Sequence, residues 1–329
     1  MKPESGVFKT VLLVALPASG KSEVRNFMAN IEAERLKEEF HIGENLQLDD
    51  FPYVHFMRLI DNALEKRGEE RVFYQSDDDP FFNDYDWGTL IMLLNEDYDR
   101  MMARKVINPE SYAMELFERM DRAAKGAGIE PRLAELDEEL LLELASELEE
   151  EAKKITLFVE EQYSDSYDGK TLVIECARGG PDGSSMPLTG GYGYQYSLPM
   201  FSKEVLDDAA ILYIWVTPEE SRRKNNERAN PDDPGSNLFH GVPINVMLGD
   251  YGCDDMEYLR EQSEVPGTIT VKKEDKVWRI PIGVFDNRVD KTSFLREDKA
   301  CWSKENIDIM TESVREATDA MWKNYKEEL

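Results

Sequence analysis

The chain has 329 residues, enough for two average domains or one large α/β domain with insertions, and either can bury a sizeable core. Its 68 acidic and 39 basic residues leave a formal charge of −29, so most of the surface repels duplex nucleic acid and anionic membrane and nucleic-acid substrates are disfavoured. Cys176, Cys253 and Cys301 lack zinc-site or disulfide spacing, and no signal-like or bilayer-length apolar run is present, so a cytoplasmic protein with no membrane partner is expected.

In chain order, 7–15 is an apolar run ended by a turn, the pattern of a strand in a parallel sheet covered on both faces. A helix is expected from Lys21 to about Phe40, and a weaker strand over Leu46–Leu48 ends at Asp49 and Asp50. From 51 to 170 the pattern is almost wholly helical. Trp87, Leu90, Ile91, Leu94, Tyr98 and Met101 share one face; Leu133, Leu136, Leu140, Leu144 and Leu148 share another. Glu130 to Glu161 holds twelve acids and three bases, the composition of a solvated helix face.

Buried strands are predicted at 171–176 (TLVIEC), 210–216 (AILYIWV) and 278–285 (WRIPIGVF). After the second of these, Thr217-Pro218-Glu219-Glu220 reads as a helix start: N-cap threonine, proline at the first position, glutamate three residues past the cap. A last helix from Lys304 carries Ile307, Met310, Val314, Ala317 and Met321 as an apolar stripe for the body of the protein. Strands alternating with helices predict a three-layer α/β/α fold with a mostly parallel sheet and a large helical insertion. The expected division is a core of 1–51 and 171–329 and an insertion of 52–170, the acceptor or partner region.

The chemistry concentrates at strand ends. Residues 15–22, ALPASGKS, follow the phosphate-loop pattern of a glycine, four residues, then Gly-Lys-Ser, except that Ala15 takes the place of the first glycine. Pro17, Ala18, Ser19 and Gly20 would turn backbone N–H groups inward at a positive helix start, Lys21 would reach outer phosphates, and Ser22 would bind magnesium. Alanine resists positive φ, so strain is expected at Ala15. Asp49 or Asp50 would take a proton from an acceptor hydroxyl or, for Asp50, hold magnesium. Glu175, at a strand end, is a further acid or metal residue, and Arg178 would hold a phosphate or the acceptor. The glycine-rich stretch 178–197 reads as a mobile loop near the acceptor. Arg223 and Arg228, in the only dense basic cluster, would clamp charge on a transferred phosphoryl group. Asn287 and Arg288 would line an adenine or ribose edge. His41, His55 and His240 suggest no metal cluster.

Taken in order, ALPASGKS, LQLDDF, TLVIECARGG, ILYIWVTPEESRRKNNER and IPIGVFDNRVD resemble the small-molecule kinases of the P-loop superfamily, the nucleoside, nucleotide and sugar kinases. LDDF looks like the strand end that supplies the catalytic aspartate in uridine-kinase-like enzymes, ECAR like the acid-x-x-arginine element, SRRKNNER like the arginine-bearing lid, and FDNRVD like the adenine-side loop. The resemblance covers about 7–50 and 171–290 and leaves out the insertion. It implies ATP and Mg2+ as cofactors and a small-molecule phosphate acceptor. An alternative from another class is a nucleotide-dependent switch or assembly ATPase whose insertion moves against a protein partner. GTP is the poorer ligand, since no Asn-Lys-x-Asp element is present.

Overall fold

The structure, a computed structural model, describes residues 6–228 and 241–326. Six strands form one sheet: β1 Thr10–Ala15, β2 Glu44–Asp49, β3 Lys170–Ala177, β4 Ala209–Trp215, β5 Thr268–Lys273 and β6 Lys276–Asp286. Their order is β2-β3-β1-β4-β6-β5, parallel throughout except for β5, which runs antiparallel on β6. Every residue of β1 is buried. A run such as TVLLVA has no polar position to give to water, so it takes the middle of the sheet with helices on both sides. Leu12 and Val14 belong to the core on one face, and Val11, Leu13 and Ala15 to the core on the other.

The expected helix after β1 is two helices, α1 Lys21–Ala29 and α2 Ala33–Phe40. The break lies at Asn30, whose side-chain amide donates to the Asn26 carbonyl and Oδ1 while its backbone N–H closes the last turn of α1. Between β2 and β3 come α3 Phe51–Lys66, α4 Asp86–Ala103, α5 Tyr112–Gly126 and α6 Glu138–Glu160. These form a core of their own, but α4 also joins the sheet. Ile91, Leu94, Tyr98 and Met101 pack into the same cluster as Leu12, Val14, Ile174 and Tyr213, so the insertion supplies one of the layers that cover the sheet.

Two short α-helices lie between β3 and β4: α7 Gly193–Ser197 and α8 Lys203–Asp208. After β4, α9 Pro218–Arg228 starts as predicted, with the Thr217 hydroxyl accepting from the Glu220 N–H at 3.2 Å. Then come α10 Ile244–Gly249 and α11 Met256–Glu261, and the chain ends in α12 Lys304–Tyr325, whose Met310, Val314, Ala317 and Met321 are buried against the sheet as their spacing requires. The sequence reading missed β5. Its TITVKK alternates, with Ile269 and Val271 turned to the core, and the turn to β6 puts Glu274 at φ 52. Among the described residues no helix is long and apolar enough to cross a membrane.

Candidate functional site

Outside the carboxyl ends of β1, β2 and β3 lies a cavity of about 150 Å3. The chain leaves β1 toward one edge of the sheet and, after β3, crosses to the other, so the cavity sits where open α/β sheets collect ligands. Residues 17–23 form one side, Asp49, Asp50 and Phe51 another, and Glu175, Cys176 and Ala177 the floor.

The 15–22 loop owes its shape to backbone conformation and to braces from three other segments. Ala15 ends β1 in register with Ala177, without positive φ, and its N–H donates to the Tyr194 hydroxyl at 2.8 Å. The expected strain is therefore absent at Ala15 and falls on Ala18, at φ 54, while Gly20 lies at φ 109. With Ser19 between them on the ordinary side, the alternation makes a concave nest of N–H groups. Gly20 is required, because a Cβ there would lie 2.6 Å from Thr292 Oγ1. Helix α1 begins at Lys21 with no side-chain cap, so the first N–H groups of the helix face the cavity mouth unclaimed.

The braces come from behind. Ser221 Oγ donates to the Pro17 carbonyl at 2.7 Å, and Asn287 Nδ2 donates to the Ser19 carbonyl at 2.7 Å and to Thr292 Oγ1 at 3.0 Å. Lys224 Nζ donates to Thr292 Oγ1 and pairs with Asp290 at 2.7 Å. Ser221, Lys224 and Asn225 are buried at i, i+3 and i+4 of a helix with almost no apolar residue. That buried polar face is the signal in the sequence that the basic cluster concealed.

Lys21 is partly buried and, among the described residues, forms no ion pair or hydrogen bond. Burial lowers its pKa, opposed chiefly by the nearby Glu175 carboxylate. Asp49 and Glu175 sit side by side in the β2–β3 register. Burial first, then the charges of Glu175 and Asp50, push Asp49 up to about 8, although its Oδ1 accepts from the Phe51 N–H at 2.9 Å. Glu175 Oε1 lies 2.6 Å from Arg25 Nη1, yet neither atom has hydrogen-bond geometry, so the contact is Coulombic and leaves Glu175 free to accept another donor or a cation. The Ser19 hydroxyl, also in the cavity wall, is buried without a hydrogen-bond partner. The loop end thus gathers three carboxyl groups around Lys21, with orphaned polar atoms beside them.

Several predicted residues stand elsewhere. Arg178 is fully buried and committed: Nη1 to Asp50 Oδ2 at 2.6 Å and the Ala177 carbonyl, Nε to Ser197 Oγ, Nη2 to the Trp87 carbonyl. It braces the site and has no donor left over for a ligand; it also fixes Asp50, whereas Asp49 has no side-chain partner among the described residues. Arg223 is exposed, paired with Glu220 and Glu227 of its own helix, and outside the cavity wall. The Arg228 side chain and His240 lie outside the described residues. Asn287 is fully buried behind the loop and outside the cavity wall, whereas Arg288 is exposed, paired with Asp286 and stacked 3.6 Å over the Trp215 ring. The stretch 178–197 is anchored and not a mobile loop: Gly180 pairs with Cys253, Asp255 accepts from the N–H groups of Tyr194 and Gln195, and the buried Tyr194 hydroxyl ties Ala15 to Cys176 and Arg178.

Sequence reasoning also missed the far wall, built by the insertion and the segment after α9. Val54, Arg58, Tyr74 and Trp87 come from the former and Val242, Pro243, Val246, Asp250 and Tyr251 from the latter. No short motif marks these residues, because packing between distant segments brings them together. Comparison with protein-family models, curated proteins and solved structures returned no match.

Proposed function

We propose that the protein is an ATP-dependent phosphotransferase with a P-loop fold, acting on a hydroxyl or phosphate of a small molecule. The observation that carries this reading is Lys21: an unpaired ammonium at an uncapped helix start, facing the carboxylates of two adjacent strand ends. The N–H groups of 18–22 and Lys21 would hold the phosphates of ATP, and Ser22 with Glu175 would hold magnesium. Among the described residues no group of three carboxylate, histidine or cysteine side chains forms a metal cage. Magnesium usually binds through one or two carboxylates together with substrate phosphates. Magnesium, when bound, would supply the positive charge that offsets the phosphate oxygens and favours ionised Asp49.

Asp49 then accepts the proton of the acceptor hydroxyl. The acceptor oxygen bonds to the γ-phosphorus as the bond from phosphorus to the β–γ bridging oxygen breaks, and ADP leaves. Asp50, held by Arg178, keeps β2 and β3 aligned beneath the reacting groups. The switch or assembly reading is the poorer one, since the insertion forms a wall of the cavity, which an acceptor site needs and a partner-facing arm does not. ADP release measured over a panel of small hydroxyl compounds tests the reading. Wild type should turn over one of them, and Lys21→Ala should lose at least a hundredfold in rate with its melting temperature kept; equal rates in the two proteins would remove Lys21 from the mechanism.

A further inference from the structure

The two ends of the cavity differ in chemistry. At the far end Phe51, Val54, Trp87, Val246 and Tyr251 present apolar or aromatic surface. Trp87 stands edge-on to Phe81 and Tyr251, with ring centres 5.0 and 5.4 Å apart, and Phe81 stacks on Tyr74 at 4.3 Å, so this wall is a packed aromatic set. Three polar groups interrupt it. The Tyr74 hydroxyl and the Trp87 indole N–H are buried with no hydrogen-bond partner among the described residues, and Asp250 is buried nearby. A buried polar atom left unpaired costs free energy unless a ligand or water meets it.

Positive charge is scarce here. Arg58 lines the wall but is committed to the carbonyls of Ser76, Asp77 and Asp79 and lies 3.9 Å over the Tyr74 ring. Arg178 is committed to Asp50 and to carbonyls. An anionic group entering this end would be stripped of water among apolar rings with, among the described residues, no free cation at this end to balance it, since Lys21 stands at the loop end. A neutral ring with a hydroxyl meets apolar walls and an unsatisfied Tyr74. The whole cavity measures about 150 Å3, so its far end has room for a compact ring and not for an extended body.

We infer that the far end of the cavity binds an uncharged hydroxyl compound with a compact aromatic or apolar ring, and rejects its phosphate ester. Under the phosphotransferase reading, on which the word acceptor rests, this makes the acceptor an alcohol and the phosphorylated molecule the product that is expelled. The cost of holding the ester's charge in this apolar end acts on the product and not on the substrate, so it favours release.

The test is ligand-observed NMR on the full chain with matched probes: benzyl alcohol against benzyl phosphate, and adenosine against adenosine monophosphate. The alcohol of at least one pair should bind at least tenfold more tightly than its ester. Tyr74→Phe, which keeps the ring and its packing, should weaken that alcohol about tenfold without lowering the melting temperature. Tighter binding of the esters, binding of neither member of either pair, or an alcohol affinity indifferent to Tyr74→Phe would each overturn the inference. Calorimetry with magnesium-ATP reads the other claim separately. A chain that binds ATP and prefers an ester contradicts the alcohol assignment alone; a chain that selects the alcohol but ignores ATP keeps the pocket's selectivity and contradicts phosphoryl transfer.

Discussion

Asn287 shows how one side chain can govern a loop 268 positions away in sequence. Its amide donates to the Ser19 carbonyl and Thr292 Oγ1, and its own oxygen accepts from the Lys291 N–H at 2.8 Å. Asn287→Ala strands these groups in a buried place, at a cost of about 1–3 kcal/mol. Urea denaturation should show that loss, and affinity for magnesium-ATP should fall with it; unchanged values for both would mean that the loop stands without this brace. Asp254 gives a residue-scale prediction of another kind. Burial holds its carboxyl at about 7 although it accepts from the Met256 N–H at 3.0 Å and from the Tyr213 hydroxyl. Between pH 4 and 7, roughly its unfolded and folded values, the folded chain keeps a proton that the unfolded chain releases, so this group's contribution to stability falls as pH rises. Asp254→Asn does not titrate. Wild type should therefore lose stability relative to the variant from pH 4 to 7, and a constant difference across that range would contradict the assignment.

Helix α9 carries its lesson in the split between its faces. Its inner face bonds the 15–22 loop, the turn at 287–292 and, through Asn225, both polar groups of Val242 at 2.8 Å in the cavity wall. Its outer face holds Arg223 in exposed pairs worth about 0.2–1 kcal/mol each. Arg223→Ala should leave turnover within about threefold of wild type, while Lys224→Ala should unfold the loop's support and lower the melting temperature; a hundredfold drop in the rate for Arg223→Ala would restore it as a charge clamp. The sequence made this helix's start legible through Thr217 and Pro218, since capping is local chemistry. It did not show which of four basic residues turns inward, because that depends on what Thr292 and Asp290 offer from 68 and 66 positions away. The β-strands β1, β3, β4 and β6 were legible from apolar runs. Strand β5 was not, because Ile269 and Val271 are its only apolar residues and the next residue on their face is Lys273, half-buried with its ammonium on the Phe201 carbonyl. In the site, the loop and the acids at strand ends were readable, whereas Tyr74, Asp250 and Tyr251 meet only after folding.

Over the whole molecule, an α/β sheet places one cluster of carboxylates beside one unpaired lysine in a chain with a formal charge of −29. Such an excess repels itself in the compact state, and salt weakens the repulsion as the Debye length shortens from about 30 Å at 0.01 M to about 10 Å at 0.1 M. The melting temperature should rise over that range and continue upward toward 1 M; a flat or falling curve would mean that the pairs on the surface already balance the charge. The insertion's α4 belongs to the sheet's own core, so heating should melt insertion and sheet in a single transition.

The central claim is that Lys21 is paired by the phosphates of a nucleotide, and calorimetric titration of magnesium-ATP into wild type and Lys21→Ala tests it most directly. The account predicts saturable one-to-one binding to wild type that falls at least a hundredfold in the variant, with both proteins melting alike. Absence of binding to wild type, or equal binding to both, would contradict it.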